Sequence, residues 1–281
     1  GGDTAVAAMN FVANTDAIIF DLRENGGGSP SMIQLITSYL YDAEPVHLNN
    51  FYWRPDDLNT QTWTLPHVSG KRNPDAEVYV LTSKRTFSAA EEFSYNLKNL
   101  ERATLIGETT GGGAHPGGTS VASDRFLVWI PSGRAINPIT NTNWEGTGVS
   151  PDIQVKQQDA LNVAHIKALE SLITKHKDDN TLYQWHLAGV KALQSPVMIS
   201  ANTLKSYAGN YGRYILSFEN GALYYQDEDE EKLKLIPIAQ DTFALPRYSY
   251  FRVRIVEEHN KVVALEGLYD NGHIIKEQKS S

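Results

Sequence analysis

The chain has 281 residues, 41% of them apolar, enough to bury the core of one large domain or two ordinary ones. Its formal charge is -8 with no basic stripe or Lys/Arg cluster, which argues against nucleic acid as a partner. The absence of cysteine excludes disulfides, a thiol nucleophile and thiolate zinc sites, and no apolar run reaches the roughly 20 residues of a membrane helix. The chain opens at Gly1-Gly2-Asp3 without a methionine or a visible signal peptide, so the expectation is a processed start from which N-terminal sequence has been removed.

Residues 3–14 read as a helix capped by Asp3. Ala17 to Leu22 is a short apolar run, the pattern of a strand covered on both faces, and Gly26-Gly27-Gly28 ends it. Pro30 opens a helix running to about Tyr41, with Ile33, Leu35, Ile36, Tyr39 and Leu40 at helical spacing. Residues 42–76, polar and aromatic with Pro55, Pro66 and Pro74, read as strand ends and a long excursion. Glu77 to Thr82 is a buried strand, Ala89 to Leu100 an amphipathic helix and Ala103 to Gly107 the next strand. That order implies a right-handed crossover in a mostly parallel sheet flanked by helices, an α/β core. Arg125 to Ile130 and Asp152 to Val155 add two strands. Residues 159–176 form a long helix with Leu161, Ala164, Ile166, Leu169, Leu172 and Ile173 on its buried side.

The composition changes after residue 177. Residues 177–199 read as a helical connection, and residues 200–281 as a small all-β module, a barrel or curved sheet. Asn220-Gly221 and Asn271-Gly272 between apolar runs are hairpin signals, and the acidic run Asp227 to Glu231 reads as a solvated hairpin tip.

Four segments can carry chemistry. Asp21 to Gly28 (DLRENGGG) lacks the spacing of a phosphate loop; it is either a plain strand-end turn or a loop whose amides face a reaction centre. Ser88 begins a helix in S-A-A-E, a capping-box pattern with Glu91. The same position sits beside free N–H groups and the positive end of the helix dipole, which suits a nucleophile. Gly107 to Gly118 is a glycine-rich loop carrying His115, either a solvated side chain or the edge of a cleft. Asn143 to Asp152 places Glu145 among glycines, an ordinary loop carboxylate or one that orients a base.

Together, D-L-R-x-N-G-G-G, T-F-S-A-A-E, G-E-T-T-G-G-G and W-E-G-x-G-V-x-P-D, in this order over residues 16–176, resemble the C-terminal processing (tail-specific) serine peptidases. The branch is the one shared with the tricorn protease core and interphotoreceptor retinoid-binding protein. The resemblance implies a crotonase-like peptidase core over residues 1–176 and an acyl-enzyme on Ser88. It implies oxyanion donors at Ala89 and at Gly27 or Gly28, and a supporting Glu145. It also implies a peptide or protein substrate, an extracytoplasmic and bacterial setting, and no metal or cofactor. Two departures stand out. The Ser/Lys branch places its Lys where this chain has Gly113, and the other branch takes its base from a His far before the nucleophile, whereas no His precedes His47 here. The general-base His is therefore expected in the removed N-terminal part, with His115 as the local substitute. No PDZ-like domain is visible. Retinoid-binding relatives supply the alternative of a non-catalytic retinoid- or peptide-binding protein, and a third reading is an interaction protein whose β module docks a partner. That module resembles accessory domains of bacterial hydrolases.

Overall fold

The computed structural model describes residues 1–228 and 230–280, so Asp229 of the acidic run lies outside the described residues. The chain divides into two compact units, Gly1–Ala168 and Leu169–Ser281. In the first, α1 (Gly2–Phe11) leads into β1 (Ala17–Asp21), α2 (Pro30–Ser38), the hairpin β2 (His47–Trp53) and β3 (Leu58–Trp63), β4 (Glu77–Thr82), α3 (Ala89–Asn99) and β5 (Thr104–Gly107). The ribbon β6 (Gly117–Ser123) and β7 (Phe126–Pro131) follows, then β8 (Gly133–Ile136), β9 (Ile153–Gln154) and α4 (Ala160–Lys175), within which the two units meet in sequence.

The sheet β1-β4-β5-β9 is parallel throughout. Alternate residues of β4 face opposite sides. Val78 and Val80 pack with Met9, Ile33, Phe93 and Leu97 of the first three helices, whereas Tyr79 and Leu81 pack with Ala160, Ala164 and Ala168 of α4. Both faces are dry, which is why the strands read as unbroken apolar runs.

Four local expectations are corrected. Helix α1 is capped by Gly1, and Asp3 sits in its first turn, where a negative charge suits the dipole. Helix α2 ends at Ser38, although Tyr39 and Leu40 remain buried beyond it. Leu161 is exposed, because α4 faces the sheet through a stripe of small residues at Ala160, Ala164 and Ala168. The strand at Arg125 to Ile130 is β7, paired with β6 in a separate two-stranded ribbon whose residues Phe126–Pro131 are all exposed. The excursion at 42–76 contributes β2 and β3 to an antiparallel sheet β3-β2-β8.

In the second unit, α5 (Thr181–Gln194) and α6 (Ala201–Tyr207) precede two antiparallel sheets. The first holds β10 (Gly209–Tyr211), β11 (Tyr214–Glu219), β12 (Ala222–Asp227) and β13 (Leu233–Lys234). The second holds β14 (Ile236–Pro237), β15 (Thr242–Leu245), β16 (Tyr248–Glu258), β17 (Lys261–Tyr269) and β18 (Ile274–Gln278). Asn220-Gly221 forms the two-residue turn between Glu219 and Ala222. Tyr211, Phe243, Val253 and Leu265 lie at the centre of this unit. Helix α5 is fastened to β16: the Trp185 indole N–H donates to Ser249 O at 2.7 Å, and the Arg252 guanidinium lies 3.7 Å from the Trp185 ring centre. Among the described residues no helix is long and apolar enough to cross a membrane.

Candidate active site

In a parallel sheet the loops that follow the strands leave from one edge. The register pairs Asp21 with Leu81 and Thr82 with Gly107, so the segments after β1, β4 and β5 emerge side by side. Arg23 folds back as a fork on Asp21, at 2.8 and 2.6 Å, and holds that carboxyl below its ordinary value. Hydrogen bonds then join the loops. Thr86 Oγ1 donates to Leu22 O at 2.8 Å, Phe87 N–H to Asn25 O at 3.1 Å and Gly111 N–H to Thr86 O at 3.0 Å.

Ser88 sits at this edge as the N-cap of α3, with φ 54 and ψ -121. A non-glycine residue held there costs of order 1–3 kcal/mol and persists only where its surroundings enforce it. One constraint is Gly27, itself at φ +116: a Cβ on Gly27 would lie 2.8 Å from Ser88 Cβ and 3.0 Å from Phe87 O. The glycine triplet is therefore a close approach of backbone to Ser88, more than a turn. Gly27 spends its own N–H on Asn25 Oδ1 at 2.9 Å. The N–H groups of Gly28 and Ala89 make no hydrogen bond among the described residues, and both residues line a cavity with Ser88.

The second constraint is Glu91. Its fully buried carboxylate accepts four donors: Ser88 N–H at 2.8 Å, Gly113 N–H at 2.9 Å, Gly112 N–H at 2.7 Å and Thr110 Oγ1 at 2.5 Å. Read in sequence only as a capping partner, Glu91 also anchors the glycine-rich loop against the start of α3. Gly113, where the Ser/Lys branch has its Lys, lies under the Phe87 ring; a Cβ there would meet Phe87 Cζ at 2.2 Å.

The segment carrying Glu145 is bound to the same loop. Trp144 Nε1 donates to Gly113 O at 3.1 Å, Gly146 N–H donates to Gly112 O at 2.9 Å, and Glu145 Oε2 accepts the Ala114 N–H at 2.6 Å. His115 Nδ1 lies 3.8 Å from Glu145 Oε2. Trp144, Ala114 and Pro116 line the cavity of about 80 Å³ that contains Ser88, but neither Glu145 nor His115 does.

That cavity holds a residue the sequence reading passed over. Glu92 lines it, is nearly fully buried, and has its carboxyl pushed up to about 7 by burial. Spacing places Glu92 one turn from Ser88 on the same face of α3, but not its burial in the cavity. Across Gly28 and Ala89 lies a second cavity of about 110 Å³, with apolar walls from Leu22, Met32, Ile33, Ile36 and Phe93.

Residues 3–155, more than half of the chain, match the family described as Peptidase family S41. Among solved structures the chain is similar to mature CPAF, at 15% identity and a TM-score of 0.51, covering 63% of this chain and 48% of that one. It is also similar to the photosystem II D1 C-terminal processing protease, at 21% identity and a TM-score of 0.45, covering 56% and 40%. The tricorn protease matches at 20% identity and a TM-score of 0.34, covering 58% and 15%. The chain thus spans less than half the length of each, and the likeness to CPAF speaks for the fold.

Proposed function

The chain belongs to peptidase family S41, a family of serine peptidases, and from that footing we propose that it hydrolyses peptide bonds through an acyl-enzyme on Ser88. Ser88 Oγ attacks the peptide carbonyl carbon while a base takes its proton, and the carbonyl oxygen becomes an oxyanion held by the Ala89 and Gly28 N–H groups. The C–N bond then breaks, the departing amine takes the proton from the base, and an ester remains on Ser88. Water attacks that ester with the same base accepting its proton, releasing the carboxylic acid and restoring the serine. The observation that carries this reading is Ser88 in its strained turn beside two N–H groups that have no partner among the described residues.

The base in this reading is a histidine outside residues 1–281. His115 is flanked by two cavity-lining residues and does not line the cavity itself, which argues against it. Glu145, bound to the Ala114 N–H, steadies the loop that such a histidine would meet. The substrate is a peptide or protein and the setting extracytoplasmic. Labelling with a fluorophosphonate, which reports activated serines, tests the assignment. Strong labelling of the full-length protein, its loss in Ser88→Ala and weak labelling of residues 1–281 are expected. Labelling of the shorter chain that vanishes in His115→Ala would return the base to His115. A full-length protein that is never labelled would be a binding relative of the fold.

A further inference from the structure

Glu92 is a buried acid for which the fold has no evident use. Its N–H donates to Ser88 O at 3.0 Å, as the next turn of α3 requires. Its carboxyl has one hydrogen-bond partner among the described residues, the amide of fully buried Asn49, which donates to Oε1 at 3.1 Å. Oε2 has none. The cavity's other lining residues, including Pro30, Phe51, Ala135 and Trp144, carry no charge. A buried carboxylate left without a cation is costly, and an apolar side chain would serve this helix face better.

We propose that Glu92 determines specificity: it pairs with the ammonium or guanidinium group of a lysine or arginine side chain of the substrate adjacent to the bond being cut. The proposal rests on Ser88 as nucleophile. Four residues of helix set Glu92 roughly 6 Å along the axis from Ser88, a span suited to the flexible four-carbon stem of lysine. The cavity on the other side of Gly28 and Ala89 is apolar and has no charged lining residue. A substrate spanning Ser88 therefore meets two unlike pockets, one for an apolar side chain and one that offers a carboxylate to a cation.

The test is digestion of a mixed peptide library by the full-length protein, with cut sites read by mass spectrometry. Lysine and arginine should be enriched on the order of tenfold at one of the two positions flanking the cut. Glu92→Gln keeps the side-chain shape and an acceptor for Asn49; it should erase that enrichment while the apolar preference at the other position persists. Glu92→Asp keeps the charge but withdraws it, and should weaken the enrichment without abolishing it. Ser88-dependent cutting with no basic enrichment, or enrichment unchanged in both variants, overturns the assignment of Glu92 alone. Cutting that survives Ser88→Ala overturns the nucleophile and this proposal with it.

Discussion

The backbone N–H of Ser88 ends on the carboxylate of Glu91, 2.8 Å away, and the same oxygen takes the N–H of Gly113 at 2.9 Å. One side chain thus sets the distance between the start of α3 and the glycine-rich loop. In Glu91→Gln, whichever way the amide turns, its NH2 faces two donors that previously had an acceptor. We expect a loss of about 2–4 kcal/mol in urea unfolding, accompanied by slower fluorophosphonate labelling of the full-length protein. A variant as stable as wild type would show that the carboxylate does not hold the loop.

Gly27 and Gly28 should respond differently to the same change. In Gly27→Ala the new methyl meets Ser88 and the Phe87 carbonyl at a positive φ, so destabilisation of about 1–3 kcal/mol is expected. Displacing Ser88 should also slow labelling on the order of 100-fold. In Gly28→Ala the methyl has nothing within 4 Å and the N–H is retained, so both stability and labelling should change little. Equal effects at the two positions would contradict the close approach seen at Gly27.

Glu92 should leave a mark on stability against pH. Burial raises its carboxyl from 4.5 to about 7, so the folded protein keeps a proton that the unfolded chain releases at lower pH. Stability contributed by the neutral carboxyl is present below 4.5 and is lost as pH rises to about 7. The loss is about 3 kcal/mol across that window. Urea unfolding of wild type and Glu92→Gln at pH 4.5 and pH 8 isolates it. The variant should gain on wild type as pH rises, and parallel pH profiles would refute the shift.

The second unit should depend on α5. Trp185 donates to Ser249 and lies against Arg252, whose guanidinium is pulled down to about 10 by burial. Residues 169–281 expressed alone should melt cooperatively, with residues 200–281 less stable because Arg252 loses its aromatic cover. Trp185→Ala in the longer piece should cost about 1–2 kcal/mol. Identical melting of the two pieces would show that α5 adds nothing.

What the sequence disclosed was local or strongly patterned. The parallel strands announced themselves as short apolar runs because both of their faces are dry, and the Asn220-Gly221 turn fixed its hairpin by itself. The motifs containing Ser88, the glycine triplet and the 107–118 loop were legible because each follows directly on a strand end. What stayed hidden depends on partners distant in sequence. Residues 47–53 become a strand through pairing with 58–63 and 133–136, and β7 could not be assigned to its ribbon from its own composition. Glu91 looked like a cap because its contacts with Thr110, Gly112 and Gly113 arise only after the loop returns. The burial of Glu92 likewise depends on Asn49 and Trp144, which arrive from two other segments.

The parallel order β1-β4-β5-β9 has a consequence for when reactivity can arise. The loops around Ser88 come from residues near 25, 87, 112 and 145, and none can stand at the sheet edge until strands far apart in sequence have paired. Such long-range pairing is slow to form. Until the loop after β5 docks on Glu91 and Gly27 closes on Ser88, the turn at Ser88 is only partly held, and a nascent or partly folded chain carries that residue as an ordinary serine. If Ser88 is the nucleophile, a chain in which these strands have not yet paired lacks the geometry needed to cut its own unfolded copies.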